Sequence, residues 1–207
     1  MKRVKICSLA LFLICGVSMA SQAAVIDFES LAHDDADITD HGATYEEDGY
    51  IIKNLATEEV SDFPPSLATF GVQADGYTGS TALFNDNYQG VTWMTSTDSI
   101  LFSLASIDLS ELADHAGETD TVTFYGLASS GDIVSQSFTL DGIFGMQTFS
   151  FSSDFTNLAA AWWKQTDYFM QFDNIATSAV PEPSAFLLFG VGLVGLSAAT
   201  KSRKMKG

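Results

Sequence analysis

Short runs of alternating apolar and polar residues recur along the chain from Val25 to Ile175, and turn-forming residues separate them. A period of two residues places successive side chains on opposite faces of an extended strand. Roughly ten such runs follow one another, and no segment between them has the apolar spacing of a long amphipathic helix. The sequence therefore predicts an all-β fold, specifically a jelly-roll-like antiparallel β-sandwich.

The clearest strand signals combine this alternation with β-branched and aromatic residues. They cover residues 49–55, 120–126 and 158–164. The first strand is predicted over residues 25–29 and the last over residues 168–175, and we expect these terminal strands to run side by side. The acidic stretch 31–48 is predicted to be a loop, and residues 177–180 are predicted to link the sandwich to the C-terminal tail.

The N-terminus has the three parts of a secretory signal peptide. Three cations precede an apolar run over residues 6–20, and Ser21 and Ala23 supply small residues at positions −3 and −1 of a cut after Ala23. A cut after Ala24 and an uncleaved anchor helix are the alternatives, although the apolar run is short for a span of about 20 residues. We predict a signal peptide over residues 1–23 and one extracellular domain over residues 24–179.

Charge is divided sharply between the ends and the predicted domain. Residues 24–179 contain two cations, Lys53 and Lys164, and 25 of the 26 acidic residues, so their formal charge is −23. Such a field repels nucleic-acid phosphates and anionic lipid, so we predict no nucleic-acid partner. Both cysteines, Cys7 and Cys15, lie in the signal peptide, which excludes a disulfide, a thiol nucleophile and a thiolate metal site from the domain.

The C-terminal tail also has three parts. Val180-Pro181-Glu182-Pro183 comes first, an uncharged apolar run of 17 residues follows over residues 184–200, and four cations lie within residues 201–207. The apolar run is at the lower limit for a membrane span, and Pro183 suits the start of a helix. The basic end should remain cytoplasmic, so the sequence predicts a transmembrane helix that leaves the domain outside.

This tail, over residues 180–207, resembles the PEP-CTERM sorting signal of Gram-negative bacteria. The resemblance implies that a membrane protease of the exosortase type recognises Pro181, Glu182 and Pro183 and processes the tail. It implies that the inner membrane holds the protein transiently through the C-terminal helix before the protein reaches the cell surface or extracellular matrix. Proteins of this kind are associated with exopolysaccharide and biofilm matrix.

The domain is also similar to β-sandwich domains carried ahead of such tails, and this likeness brings no established activity. It rests on Asp27-Phe28-Glu29 near the start and on Phe172-Asp173-Asn174-Ile175 near the end. If the terminal strands are neighbours, Asp27, Glu29 and Asp173 can meet, and carboxylate oxygens are ligands that calcium prefers. We therefore hypothesise a structural calcium ion, with strand-capping or solvent-facing acids as the alternative.

Flat aromatic rings can stack on sugar rings, and several aromatic residues are candidates for that role. The tryptophan candidates are Trp93, Trp162 and Trp163, and the tyrosine candidates are Tyr50, Tyr77 and Tyr88. Adjacent residues of a strand point to opposite faces, so one of Trp162 and Trp163 is expected in the core. An exposed row of such rings would indicate binding of extracellular polysaccharide.

No motif for catalysis emerges from the sequence. The three histidines, His33, His41 and His115, are predicted to be exposed loop residues, and no Gly-x-Ser-x-Gly nucleophile motif is present. We therefore predict a structural or adhesive protein of the cell surface or biofilm matrix that is not an enzyme. A carbohydrate-binding module is the alternative. A secreted glycan hydrolase is a further alternative, and it would need two carboxylates facing each other across a cleft.

Overall fold

The computed structural model describes residues 23–55, 64–86, 90–112, 119–164 and 170–179. The predicted signal peptide, apart from its last residue Ala23, and the tail after Ala179 lie outside these ranges. Within them the chain forms a 3₁₀ turn, Glu29–Leu31, and thirteen strands. The strands are β1 Ala23–Ile26, β2 Ile38–Asp40, β3 Thr44–Glu47, β4 Tyr50–Leu55, β5 Leu67–Phe70, β6 Phe84–Asn85, β7 Val91–Ser96, β8 Phe102–Glu111, β9 Thr121–Ala128, β10 Ile133–Thr139, β11 Gln147–Ser150, β12 Leu158–Lys164 and β13 Met170–Ala179.

The strands pair in two layers, and every pairing is antiparallel. The front layer has the order β10-β9-β12-β7-β4-β3, and the back layer has the order β11-β8-β13-β1. A pairing of Leu158 with Phe102 connects the layers. A smaller sheet, β2-β5-β6, is linked to the back layer through backbone hydrogen bonds between Leu83 and Phe172. The chain is therefore an all-β, sandwich-like fold, as the strand pattern predicts.

The core lies between the two layers and is rich in aromatic rings. Trp163 of the front layer meets Phe172 of the back layer edge to face at 5.1 Å, and Tyr50 meets Phe102 in the same way at 5.5 Å. These rings are buried, as are the aliphatic side chains that alternate with outward residues along the same strands. Their removal from water, at about 25 cal/mol per Å² of apolar surface, is the main stabilising contribution to the fold.

The terminal strands run side by side, which confirms that expectation. β1 pairs with β13, and Ala23 lies opposite Ser178 while Ile26 lies opposite Ile175. β1 nevertheless ends earlier than predicted, because Phe28 turns the chain with a left-handed backbone conformation at φ 54°. β13 also extends to Ala179, so the predicted linker at residues 177–180 is wrong for its first three residues, which belong to the sheet.

The prediction of a loop over residues 31–48 is also wrong, because this stretch contains β2 and β3. Both are short strands at sheet edges, and Glu46 on β3 is exposed. Charged residues are common on edge strands, since one side of the strand faces water and charge opposes pairing with other chains. Among the residues described, no helix has the length and apolar character needed to cross a membrane. The predicted transmembrane helix belongs to the tail, outside them.

Candidate functional site

Antiparallel register aligns one row of side chains across the front layer. Lys53 on β4 lies opposite Trp93 on β7, Trp93 lies opposite Trp162 on β12, Trp162 lies opposite Tyr125 on β9, and Tyr125 lies opposite Ser135 on β10. The residues that alternate with the three rings, Met94, Trp163 and Phe124, are buried, so the row itself faces outward. We call the outer side of β4, β7, β12, β9 and β10 the aromatic face.

The three rings of this row stack in sequence. The ring centroids of Trp93 and Trp162 are 5.0 Å apart with planes inclined by 16°, and those of Trp162 and Tyr125 are 5.5 Å apart at 13°. Aromatic pairs prefer offset stacking, and with ring planes about 3.5 Å apart these centroid separations correspond to a sideways displacement of roughly 4 Å between neighbours. Each ring therefore covers only part of the next ring, and the row forms a stepped aromatic surface.

Hydroxyl groups and apolar side chains surround the row. Thr121 and Thr139 share a hydrogen bond of 3.0 Å between their hydroxyls, and Thr123 and Ser137 share one of 2.9 Å. Tyr125 is 37% exposed, while Trp93 and Trp162 are half-buried. A surface with partly open rings beside hydroxyl donors and acceptors can stack on one side of a sugar and hydrogen-bond its hydroxyls.

Trp163 is not part of this surface, so the prediction that it stacks on a glycan is wrong. Its side chain is 1% exposed and packs against Phe124 and Phe172 in the core. The expectation that Trp162 and Trp163 point to opposite sides is confirmed. Tyr50 is likewise buried, Tyr77 is half-buried in the loop after β5, and Tyr88 lies outside the described residues.

A polar cluster lies at the back layer, where two aspartates pair directly. Asp173 of β13 is opposite Asp108 of β8. Asn174 follows in a left-handed conformation at a β-bulge, and its side-chain amide donates to Asp108 Oδ2 at 2.9 Å and to Asp173 Oδ2 at 3.2 Å. The hydroxyl of Ser80 lies 2.5 Å from Asp173 Oδ2 and 2.9 Å from Glu29 Oε1. The cluster thus connects β8, β13, the 3₁₀ turn and the loop before β6.

The number of available hydrogens decides the protonation of this cluster. Ser80 Oγ carries one hydrogen and cannot donate to both carboxyl groups. Glu29 also accepts from the backbone N–H of Thr81 at 3.0 Å, and this bond and the Ser80 and Thr81 hydroxyls lower the pKa of Glu29. Burial raises the pKa of Asp173 to about 7, with the charges of Glu29 and Asp108 acting in the same direction. In its charged form Asp173 accepts from Ser80, and in its neutral form it can donate its proton to Ser80, which then donates to Glu29.

This geometry does not support the predicted calcium site. Glu29 and Asp173 do come together, but the Ser80 hydroxyl fills the space between them. Asp27 does not join them through a side-chain contact; its Oδ1 accepts from the backbone N–H of Glu29 at 3.2 Å. Calcium takes six to eight oxygen ligands. Across the ranges that the structure describes, no three His, Cys, Asp or Glu residues are grouped so that they could hold a metal ion.

The prediction that the histidines are exposed is wrong for His33 and His41, which are both half-buried and lie close to other polar groups. His33 Nδ1 lies 2.7 Å from Asp35 Oδ1, and His33 Nε2 lies 3.3 Å from Thr69 Oγ1. His41 Nε2 lies 2.8 Å from the same hydroxyl, and burial lowers the pKa of His41. The order carboxylate, imidazole, hydroxyl is that of a hydrolase triad. However, Thr69 is 0% exposed, so its hydroxyl cannot reach a substrate. His115 lies outside the described residues.

Comparison with known proteins locates a family motif in the tail. Residues 179–204 match the family model of the PEP-CTERM protein-sorting motif. No curated protein matches the chain.

Two solved structures are similar to the chain at low identity. One is CBM29_1, a family 29 carbohydrate binding module from Piromyces equi, at 9% identity and a TM-score of 0.38, over 83% of this chain and 99% of that one. The other is an exo-beta-agarase, at 12% identity and a TM-score of 0.34, over 77% of this chain and 26% of that one. At these TM-scores neither likeness bears on ligand or activity. The chain is thus an all-β, antiparallel protein that carries a C-terminal PEP-CTERM protein-sorting motif.

Proposed function

We propose that this protein is an exported adhesive component of the cell surface or extracellular matrix, and that it holds polysaccharide on its aromatic face without catalysis. The sorting motif at residues 179–204 indicates an exosortase-sorted surface protein. Within that motif, Pro181, Glu182 and Pro183 are the proposed recognition residues. The proposed domain over residues 24–179 is the part that remains to interact with the matrix.

The observation that carries the polysaccharide proposal is the stepped row of Trp93, Trp162 and Tyr125. Rings that only partly cover one another expose aromatic surface at each step, and the pleated sheet beneath holds them in a fixed register. Aromatic residues supply large contact area with few rotatable bonds, so little conformational entropy is lost on binding. The neighbouring hydroxyls of β9 and β10 add hydrogen-bonding groups that suit a sugar polymer.

Neither the polar cluster around Asp173 nor the group around His33 and His41 offers comparable support for catalysis. Glu29 and Asp173 are bridged by one hydroxyl and do not face each other across a cleft, which is the arrangement that glycoside hydrolysis requires. The hydroxyl that faces His33 is buried.

Retardation of the full chain in native gels that contain a neutral polysaccharide tests the proposal. Trp162→Ala removes the central ring, which contacts both others, and we expect binding at least about tenfold weaker, equivalent to ~1.4 kcal/mol. Tyr77→Ala is the matched control, because Tyr77 lies in the loop after β5, away from the aromatic face. Equal melting temperatures of the two variants would exclude unfolding as the cause. If Trp162→Ala migrates like the unmodified chain through gels of every polysaccharide tried, the proposal is wrong.

A further inference from the structure

Both cations of the proposed domain lie on the aromatic face. Lys53 and Lys164 are the two Lys or Arg residues of residues 24–179, and both are exposed. Lys53 lies opposite Trp93, and Lys164 lies two residues beyond Trp162 on β12, so both share the outer side of the sheet with the rings. Strand spacing and rise place their Cα atoms roughly 12 Å apart, with Trp93 and Val91 between them.

The same five strands carry no acidic residue. β4, β7, β9, β10 and β12 contain no Asp or Glu, although residues 24–179 contain 25. By register, the nearest acid on a neighbouring strand is Glu46 of the edge strand β3, opposite Ile51. Asp98 and Asp132 lie in turns beyond the strand ends. These five strands therefore have a formal charge of +2, in a domain whose formal charge is −23.

We propose that the polymer bound on the aromatic face is an acidic polysaccharide that carries carboxylate groups. This inference rests on the proposed polysaccharide binding and specifies its chemistry. Sugar rings stack on the stepped row, and carboxylates along the polymer pair with the ammonium groups of Lys53 and Lys164. Hydrogen bonds between ammonium and carboxylate groups are stronger than those between neutral groups. Two cations flanking the row thus select a polymer with anionic groups along its length.

The formal charge of −23 opposes this binding only over long distances. At an ionic strength of 0.15 M the Debye length is about 8 Å, so exposed carboxylates that lie farther than this from the ligand through solvent are largely screened. Direct contacts of the ligand with Lys53 and Lys164 are screened much less. At 0.01 M the Debye length is about 30 Å, and the charge of the whole domain acts on the ligand. Binding of an acidic polymer should therefore pass through a maximum between low and high salt.

The test compares one β-linked glucose polymer in two forms. In the first form it is neutral, and in the second a fraction of its primary alcohols are oxidised to carboxylates. Binding of the full chain, held in uncharged detergent, is measured with both forms at about 0.01, 0.15 and 1 M NaCl. At the middle concentration we expect the oxidised form to bind several-fold more tightly than the neutral form, and to weaken at both extremes.

Charge variants assign this preference to the two lysines. Lys53→Gln together with Lys164→Gln should remove the preference for the oxidised form, so that the two forms bind this variant with affinities within about twofold of each other. Ser153→Asp is the charge control. It adds one negative charge in the loop before β12, at the opposite end of that strand from Lys164. This variant should retain the preference for the oxidised form. The single variant Lys53→Gln provides the comparison at equal net charge.

Each remaining outcome overturns a defined part of the argument. If the neutral form binds and oxidation brings no gain, the acidic ligand is wrong while the proposed function stands. If neither form binds and Trp162→Ala changes nothing, both are wrong. If the chain instead self-associates, and Trp162→Ala dissociates the complex in sedimentation, a second copy of the chain occupies the aromatic face and the acidic polysaccharide is excluded.

Discussion

Asp173 shows how one residue can keep a proton near neutral pH inside a strongly acidic protein. Its strand pairing places it opposite Asp108, and like charges opposite each other destabilise a sheet. The Asn174 amide lies between the two carboxyl groups, and burial together with the nearby charge of Glu29 favours the neutral acid at Asp173. The folded chain therefore binds a proton that the unfolded chain releases at much lower pH.

We predict that Asp173→Asn stabilises the protein at alkaline pH. Because the pKa of Asp173 rises from 3.8 to about 7 on folding, its contribution to stability is complete below about pH 4 and is lost as pH rises through 7. An amide stays neutral at both pH values. The gain in unfolding free energy over the unmodified chain should therefore be larger at pH 8 than at pH 4.5, by up to a few kcal/mol. The gain in melting temperature should be larger at pH 8 in the same way. Asp98→Asn, an exposed change of the same charge, should show no such difference between the two pH values. An equal or smaller gain at pH 8 would contradict the assignment of the proton to Asp173.

The strands differ in how much of their structure the sequence alone can predict. The sequence predicts β12 at its observed limits, because residues 158–163 are all apolar and polar residues flank them on both sides. The sequence does not predict residues 177–179 as a strand, because Thr-Ser-Ala has no strong local preference for a strand. Pairing of β13 with β1, the first strand of the domain, decides their conformation. β2 and β3 were missed because acidic composition resembles that of a loop.

The aromatic face is only partly predictable from sequence, because it also depends on pairing between strands that are distant in the chain. Trp93 and Trp162 were candidates, but Tyr125 was not among them. Alternation in Thr-Val-Thr-Phe-Tyr places Tyr125 opposite in direction to the buried Val122 and Phe124, which is a local signal that it faces outward. Its stacking on Trp162 depends on the pairing of β9 with β12, which is a property of the folded sheet and is absent from local sequence.

The place of β13 in the back layer leads to a prediction about the end of the domain. A chain over residues 24–179 keeps the whole of β13, whereas a chain ending at Ala176 loses the pair of Thr177 with Ala24 of β1 and three pairs with β8. We expect the shorter chain to melt several degrees lower, since about 1 kcal/mol corresponds to 2–4 °C for a domain of this size. Both chains would start at Ala24, and thermal unfolding followed by circular dichroism measures the difference. Equal melting temperatures would show that residues 177–179 act as a linker after all.

At the scale of the whole molecule, the distribution of charge separates two kinds of surface. Five strands of the front layer, β4, β7, β9, β10 and β12, carry no acidic residue, while acidic residues occur on β3, in the back layer, on β2 and in the turns. A net charge of this size keeps molecules apart in solution and also raises the free energy of the compact state through self-repulsion. Residues 24–179 contain two lysines and 25 acidic residues, so cations offset little of this repulsion.

Salt should therefore stabilise the folded protein. As NaCl rises from about 0.01 M to 0.15 M, the Debye length falls from about 30 Å to 8 Å and self-repulsion is screened, so we expect the melting temperature to rise by a few degrees. Calcium chloride at equal ionic strength is the matched comparison, because screening depends on ionic strength whereas a bound ion adds stabilisation of its own. A larger rise with calcium would restore the predicted structural ion. A melting temperature that stays constant or falls with NaCl would show that self-repulsion does not limit the stability of this domain.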